Sequence, residues 1–183
     1  MRVVRRTAIV LVCAFALAVP AQASAALDMF LDLDGIQGES LDREFANKID
    51  VLAWSWGASR QGGKAPNFQD FSFTKYIDRS SPALLQKLAT GGPIAKGTLS
   101  VRKAGETPLV YLRFCFTGLR VSSISTGGSG GEDRLTENVT LNYATIIQKY
   151  SLQKADGSAG DSFQFGWDLV RQLQFGSSSD CTA

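Results

Sequence analysis

The 183-residue sequence contains no histidine and only three cysteines. Without imidazole there is no Ser-His-Asp or Cys-His nucleophile system, no histidine-ligated metal and no histidine pH switch. Three cysteines are too few for a zinc site of four thiolates. An enzyme built on this chain would have to work with carboxylates, Lys or Tyr. A strong charge of either sign is also missing, with 19 Lys+Arg against 17 Asp+Glu. With 44% hydrophobic and 20% charged residues, the composition is that of a globular domain rather than a disordered or collagen-like chain.

The longest apolar run, Ala8 to Val19, follows the basic start Met1-Arg2-Val3-Val4-Arg5-Arg6 and precedes Pro20 and Ala21-Gln22-Ala23-Ser24-Ala25. This is the order of a cleavable secretory signal peptide: charged start, apolar core, small-residue cleavage site after Ala25 or Ala23. The run is shorter than the ~20 apolar residues of a membrane span, so no stable membrane insertion is expected after cleavage. Removing residues 1–25 takes three arginines and no acid, which leaves 16 cationic side chains against 17 acidic ones. The excess positive charge belongs to the leader, and the mature chain shows no basic footprint for nucleic acid. The expected location is secreted or periplasmic. In such an oxidising compartment the remaining cysteines, Cys115 and Cys181, can form a disulfide that ties the tail to the domain. The other reading is a core Cys115 and a free tail thiol at Cys181.

From Leu27 onward the pattern has period two. Leu27, Met29, Leu31 and Leu33 alternate with Asp28, Phe30, Asp32 and Asp34, a strand that ends at Gly35. Further strands are expected at Val51–Trp56, across Phe68–Phe73, at Leu99–Arg102, at Val110–Phe116 and, after a break at Gly118, at Val121–Ser125. One long run covers Thr136 to Gln153, with Val139, Leu141 and Tyr143 on one face. A last strand starts at Phe163, Phe165 and Trp167 and runs to about Leu173. The single helix begins with Ser81 as cap and Pro82 in its first turn, buries Leu84, Leu85 and Leu88, and ends at Gly91-Gly92. The fold class is therefore mainly β: an antiparallel β-barrel or sandwich of about eight strands with one flanking α-helix. Residues 1–25 form the leader, 26–173 the domain and 174–183 a flexible Ser-rich tail.

No cofactor, metal or catalytic set emerges. Asp28, Asp32 and Asp34 share a strand face but read as its solvated side, with an edge kept polar against pairing. The glycine-rich stretch Thr126 to Arg134 lacks a Gly-Lys-Ser/Thr ending and is followed by two acids, so it reads as a strand connection rather than a phosphate cradle. Asn138-Val139-Thr140 has the form of a glycosylation acceptor, but its Thr is accounted for by β-propensity.

Several blocks together resemble one family. They are Asp28-Met29-Phe30-Leu31, Gly38-Glu39-Ser40, Ile49 to Gly57 (IDVLAWSWG), Phe71 to Asp78 (FSFTKYID), Val101 to Gly105 (VRKAG), and the long block Val121 to Leu141. Over residues 27–172 the chain is similar to the haemolysin-coregulated protein (Hcp) family, the tube subunits of bacterial type VI secretion. The resemblance implies a non-enzymatic structural protein, a β-barrel with one helix that assembles into a homohexameric ring with a wide pore. Such rings stack into a tube, and effector or spike proteins are the implied partners. Because a ring contact is heterologous, each subunit needs two different complementary surfaces. The loop containing Gly127, Gly128, Gly130, Gly131, Glu132 and Arg134 is the candidate ring interface. Arg60, Gln61 and Lys64, in the loop Ser59 to Asn67, form the candidate stacking contact. The signal peptide motivates an alternative: an exported Hcp-fold binding protein of the envelope or extracellular space, independent of a type VI apparatus.

Overall fold

In the computed structural model, which describes residues 27–105, 108–176 and 181, all strand pairings are antiparallel. The leader read at residues 1–25 and most of the tail lie outside the described residues. In chain order the elements are β1 Leu27–Leu33, β2 Ile49–Ser55, β3 Ala58–Ser59, β4 Asn67–Phe68, β5 Phe71–Tyr76, α1 Ser80–Thr90, β6 Ile94–Lys103, β7 Leu109–Gly127, β8 Thr136–Asn142, β9 Thr145–Gln153, β10 Ala159–Asp168 and β11 Leu173–Phe175. Six of them close a barrel in the order β7-β6-β1-β2-β5-β8, with β8 returning to β7. Closure pairs every barrel strand on both sides and removes the edges at which sheets aggregate. The strands β9, β10 and β11 leave the barrel at β7 as an overhanging sheet, and β3 pairs with β4 as a separate ribbon.

The barrel closes and the overhang departs on the same strand because β7 changes partner along its 19 residues. Leu112 to Thr117 pair with β9, and Arg120 to Gly127 pair with β8. Between them Gly118 takes the left-handed conformation, φ 62°, which bends the strand at low cost only for a residue without Cβ. The sequence expectation of a break at Gly118 is corrected: the glycine kinks one continuous strand. The run from Thr136 to Gln153 is likewise interrupted at Tyr143-Ala144, directly opposite, where the Ala144 N–H donates to the Thr117 carbonyl at 2.9 Å. Two long antiparallel strands therefore kink at one level.

Inside the barrel the side chains that alternate inward meet. Leu31, Leu33, Ile49, Phe71, Phe73, Leu99, Phe114, Phe116, Leu119, Val139 and Leu141 form one buried cluster. Phe71 lies between Phe73 and Phe116, with ring centroids 5.9 and 5.0 Å away. Full burial of each such side chain stabilises the fold by about 2 kcal/mol, an upper figure because denatured chains are partly collapsed.

Five other element expectations change. The Phe68–Phe73 run divides into β4 and β5, and the run to Leu173 is cut at Asp168, whose carboxylate accepts from the Val170 and Arg171 N–H groups at 2.9 and 2.8 Å. The last strand, β11, reaches Phe175, into the stretch expected to be tail. On the helix, Leu84 is fully buried but Leu85 is 56% exposed, since adjacent residues point about 100° apart and the contact face is narrow. Ser81 lies inside the helix instead of capping it. The orphan donors go to Asp78, which accepts the Ser80 N–H at 2.9 Å, while Ser81 Oγ accepts the Asp78 N–H at 3.1 Å. Gly91 ends the helix as expected, in the left-handed region.

Candidate assembly surfaces

One set of titratable groups in the barrel is bound together in its core. On β5 the inward positions are Phe71, Phe73 and Lys75, which carries an ammonium into the core at 0% exposure. Lys75 Nζ lies 2.6 Å from Asp78 Oδ1 and 2.8 Å from Glu137 Oε1, and donates to Ser81 Oγ at 3.0 Å and to the Tyr76 carbonyl at 2.9 Å. Ser81 Oγ also donates to Glu137 Oε1 at 2.7 Å. One buried cation therefore fastens β5, β8 and the start of α1, and every partner is held in a hydrogen bond. Sequence reading missed this network. Its signal was a lysine in the third place of an apolar alternation.

The three aspartates of the first strand are not brought together. Asp28 accepts from Arg102 Nη2 at 2.9 Å, Asp32 pairs with Lys48 at 2.6 Å, and Asp34 stands exposed in the turn after β1. The face expected to be solvated is instead strapped by residues 40–48. Phe45 stacks on Phe30 with centroids 4.4 Å apart, and the Arg102 guanidinium lies 5.0 and 5.6 Å from the two rings. Arg102 also bonds Asp42, which holds that carboxyl down at about 2, helped by the Phe45 and Glu44 N–H groups against its partial burial. An open groove of about 1020 Å³ next to this strap is lined by Asp32, Asp34, Lys48, Arg79 and Lys96. Its Asp32 is ion-paired with Lys48 at 2.6 Å. Among the described residues no group of three or more His, Cys, Asp or Glu is placed to hold a metal ion.

The surfaces left for partners are loops and one sheet face. Gly127 ends β7, and Gly128, Gly130, Gly131, Glu132 and Arg134 lie exposed on the hairpin to β8. The Arg134 guanidinium is folded over the Tyr76 ring at 4.0 Å, and Ser129 Oγ donates to Glu132 at 3.3 Å. Arg60, Gln61 and Lys64 form the exposed tip of the β3–β4 ribbon. There Arg60 Nε donates to the Lys64 carbonyl at 3.0 Å and Lys64 Nζ to Gln61 Oε1 at 3.2 Å. Cys115, on the outer face of β7, is joined to a fully buried Cys181 across 66 residues, with Cα atoms 5.6 Å apart.

The surface that sequence reading did not separate is the barrel-side face of the overhang. Phe68 of β4 stacks on its Trp167 end with ring centroids 6.2 Å apart, and beyond that contact Tyr150, Leu152, Phe163 and Phe165 stand 41, 45, 63 and 50% exposed among the described residues. Phe163 is cross-strand neighbour to Tyr150, and Tyr150 to Leu112, so these side chains share one face. Period two located the strand but not the end of the barrel beneath it.

Comparison with known proteins follows the same outline. Residues 30–150 match the family described as "Type VI secretion system effector, Hcp". Protein hcp1 of Pseudomonas aeruginosa strain PAO1 is 47% identical over 160 residues, which span 81% of this chain and 99% of that protein. The crystal structure of Hcp1 from Salmonella typhimurium superposes with TM-score 0.73 at 36% identity, covering 82% of this chain and 99% of that one. A type VI secretion system effector from Yersinia pestis gives TM-score 0.68 at 34% identity, covering 78% and 100%.

Proposed function

We propose, for a chain that belongs to the Hcp family of type VI secretion proteins, that the barrel is the repeating unit of a homohexameric ring and that rings stack into a tube. The observation that carries this reading is the family match over residues 30–150, which takes in all six barrel strands except the first three residues of β1. The barrel itself supports a structural, non-enzymatic role. Its inward ammonium and carboxylates neutralise one another, and its two principal loops project into solvent as contacts for other copies.

In this reading Gly127 to Arg134 lie at the contact between neighbours in one ring, and Arg60, Gln61 and Lys64 lie at the contact between rings. Effector proteins or a spike protein are the partners beyond the chain itself. Residues 1–25 direct export and are removed, the domain occupies 26–173, and Cys115 and Cys181 are oxidised in the compartment reached. Among the described residues no helix is long and apolar enough to cross a membrane.

Sedimentation and negative-stain electron microscopy of the purified protein test the ring. Rings of six subunits are expected, and a monomer that persists in concentrated solution overturns the assignment. N-terminal sequencing of the exported protein tests the leader, with a start at residue 24 or 26 as the expected result.

A further inference from the structure

A ring contact is heterologous, so the protomer needs a second surface, different from the 127–134 loop and complementary to it. Resting on the ring reading above, we propose that this second surface is the bare apolar face of the overhang, formed by Tyr150, Leu152, Phe163 and Phe165, and that its occupant is the loop end of the next copy, around Ile77 and Leu135.

The position of the face leaves these four side chains uncovered by the described residues. The barrel closes through β8 onto the second half of β7, while the overhang hangs from the first half. The four side chains therefore lie past the wall that fills the barrel, and among the described residues no further element lies over them. Exposed apolar patches of this kind on soluble proteins mark contact sites, and aromatic side chains are enriched in interface cores. The mature chain, nearly neutral overall, has little charge repulsion with which to keep such patches apart.

The complementary patch lies at the other end of the same strand. Ile77 and Leu135 are 43 and 41% exposed and adjacent, with the Ile77 N–H donating to the Leu135 carbonyl at 2.9 Å. Leu135 leads into β8, whose Thr136 pairs with Gly127 at the end of β7, whereas Tyr150 pairs with Leu112 near its start. From Leu112 to Gly127 the strand runs about 50 Å along its contour at ~3.3 Å per residue. Two different apolar patches at opposite ends of one strand suit head-to-tail addition, and a closed ring results when the rotation per subunit divides the circle.

Charge favours the same pairing. The cationic groups placed against the overhang face are Lys103, 5.2 Å from the Tyr111 ring that meets Tyr150 edge-on, and Lys154, whose stem lies beside Gly160 and Leu152. The loop that precedes Leu135 projects Glu132 and Asp133 into solvent, while Arg134 is withdrawn over Tyr76. With Asp161 exposed two residues before Phe163 on the same strand, the border of the face is mixed in charge, and Lys103 and Lys154 are the groups in it that suit an acid-bordered apolar knob.

Two variants and their mixture test the pairing by native mass spectrometry, with circular dichroism and thermal melting to show that each remains folded. Phe163→Glu spoils the overhang face and Leu135→Glu spoils the loop end, both at exposed positions. Each variant alone is expected to be monomeric, with association weakened at least 100-fold. Their equimolar mixture is expected to stop at a 1:1 dimer, because one intact face and one intact loop end remain. Rings from either single variant at wild-type strength, or a mixture that stays monomeric at the concentration where the wild type is fully assembled, overturns the pairing. If the unsubstituted protein forms no ring, it is the ring reading that falls. If it forms rings while the variants behave alike with it, only this inference falls.

Discussion

Gly118 and Ala144 face each other where β7 exchanges one partner for another, and a Cβ at position 118 would lie 2.9 Å from the Ala144 Cβ. Steric room and backbone conformation thus demand glycine independently, since φ at this residue is 62°. Gly118→Ala is expected to destabilise the protein by at least about 2 kcal/mol, from left-handed strain plus crowding. Urea unfolding checks this, and an unchanged midpoint would disprove it. Ala144→Gly is expected to recover part of the loss in the double variant, since it removes the clash but not the strain.

The Lys75 network makes a sharper prediction. Lys75→Met leaves the carboxylates of Asp78 and Glu137 buried without their cation, at an expected cost of about 3–5 kcal/mol. Adding Glu137→Gln to that variant removes one buried charge and should restore a measurable fraction of the unfolding midpoint. If the single substitution unfolds at the wild-type denaturant concentration, the network carries no stability.

Acid titration isolates the strap over the first strand. The Asp42 carboxyl, held at about 2 by Arg102, is depressed below its ordinary value of 3.8. Its contribution is therefore fully present above about pH 4 and fades as pH falls toward 2. The linked stability is on the order of 2 kcal/mol. The Asp42→Asn variant should lose stability at neutral pH and show a flatter dependence between pH 4 and 2.5, measured as the urea midpoint. At the alkaline end burial pushes Tyr143 up to about 12, against hydrogen bonding from Trp56. Stability linked to it is complete below pH 10 and drops as pH rises toward 12, a loss absent from Tyr143→Phe.

Reduction should loosen the fold. In the chain-entropy account a cross-link spanning 66 residues is worth on the order of 4 kcal/mol. Cys181→Ser is expected to lower the melting temperature to that of the reduced wild type, and reductant should then have no further effect. A melting temperature that does not respond to either change would show that the cross-link adds nothing.

The legible parts of this molecule are those that follow from local periodicity. Leu31 and Leu33, Val139 and Leu141, and Leu84 all point where their spacing sends them, and Gly91 stops the helix because a left-handed residue is required there. What could not be read from the sequence depends on partners far along the chain. Phe30 reads as the outward side of a strand, yet Phe45 arrives to cover it. Phe163 and Phe165 read only as the start of a last strand, and the barrel has closed before reaching them. Lys75 occupies an apolar slot because Glu137, on another strand, comes to meet it. The candidate assembly loops were named by likeness to a family rather than by any property of glycine. The overhang face was visible only once the closure of the barrel fixed what its own chain leaves uncovered.

From Leu112 to Thr117 β7 is hydrogen-bonded on both sides, to β6 on one flank and to β9 on the other, and from Arg120 to Gly127 it pairs with β8. A pull applied at its two ends acts parallel to both ladders and perpendicular to their hydrogen bonds. The bonds are then strained together, in shear, instead of opening one after another as they would in a peeled hairpin. The strand that joins the two ends of the domain is thus also its tie-rod, set to resist a sudden load along its length.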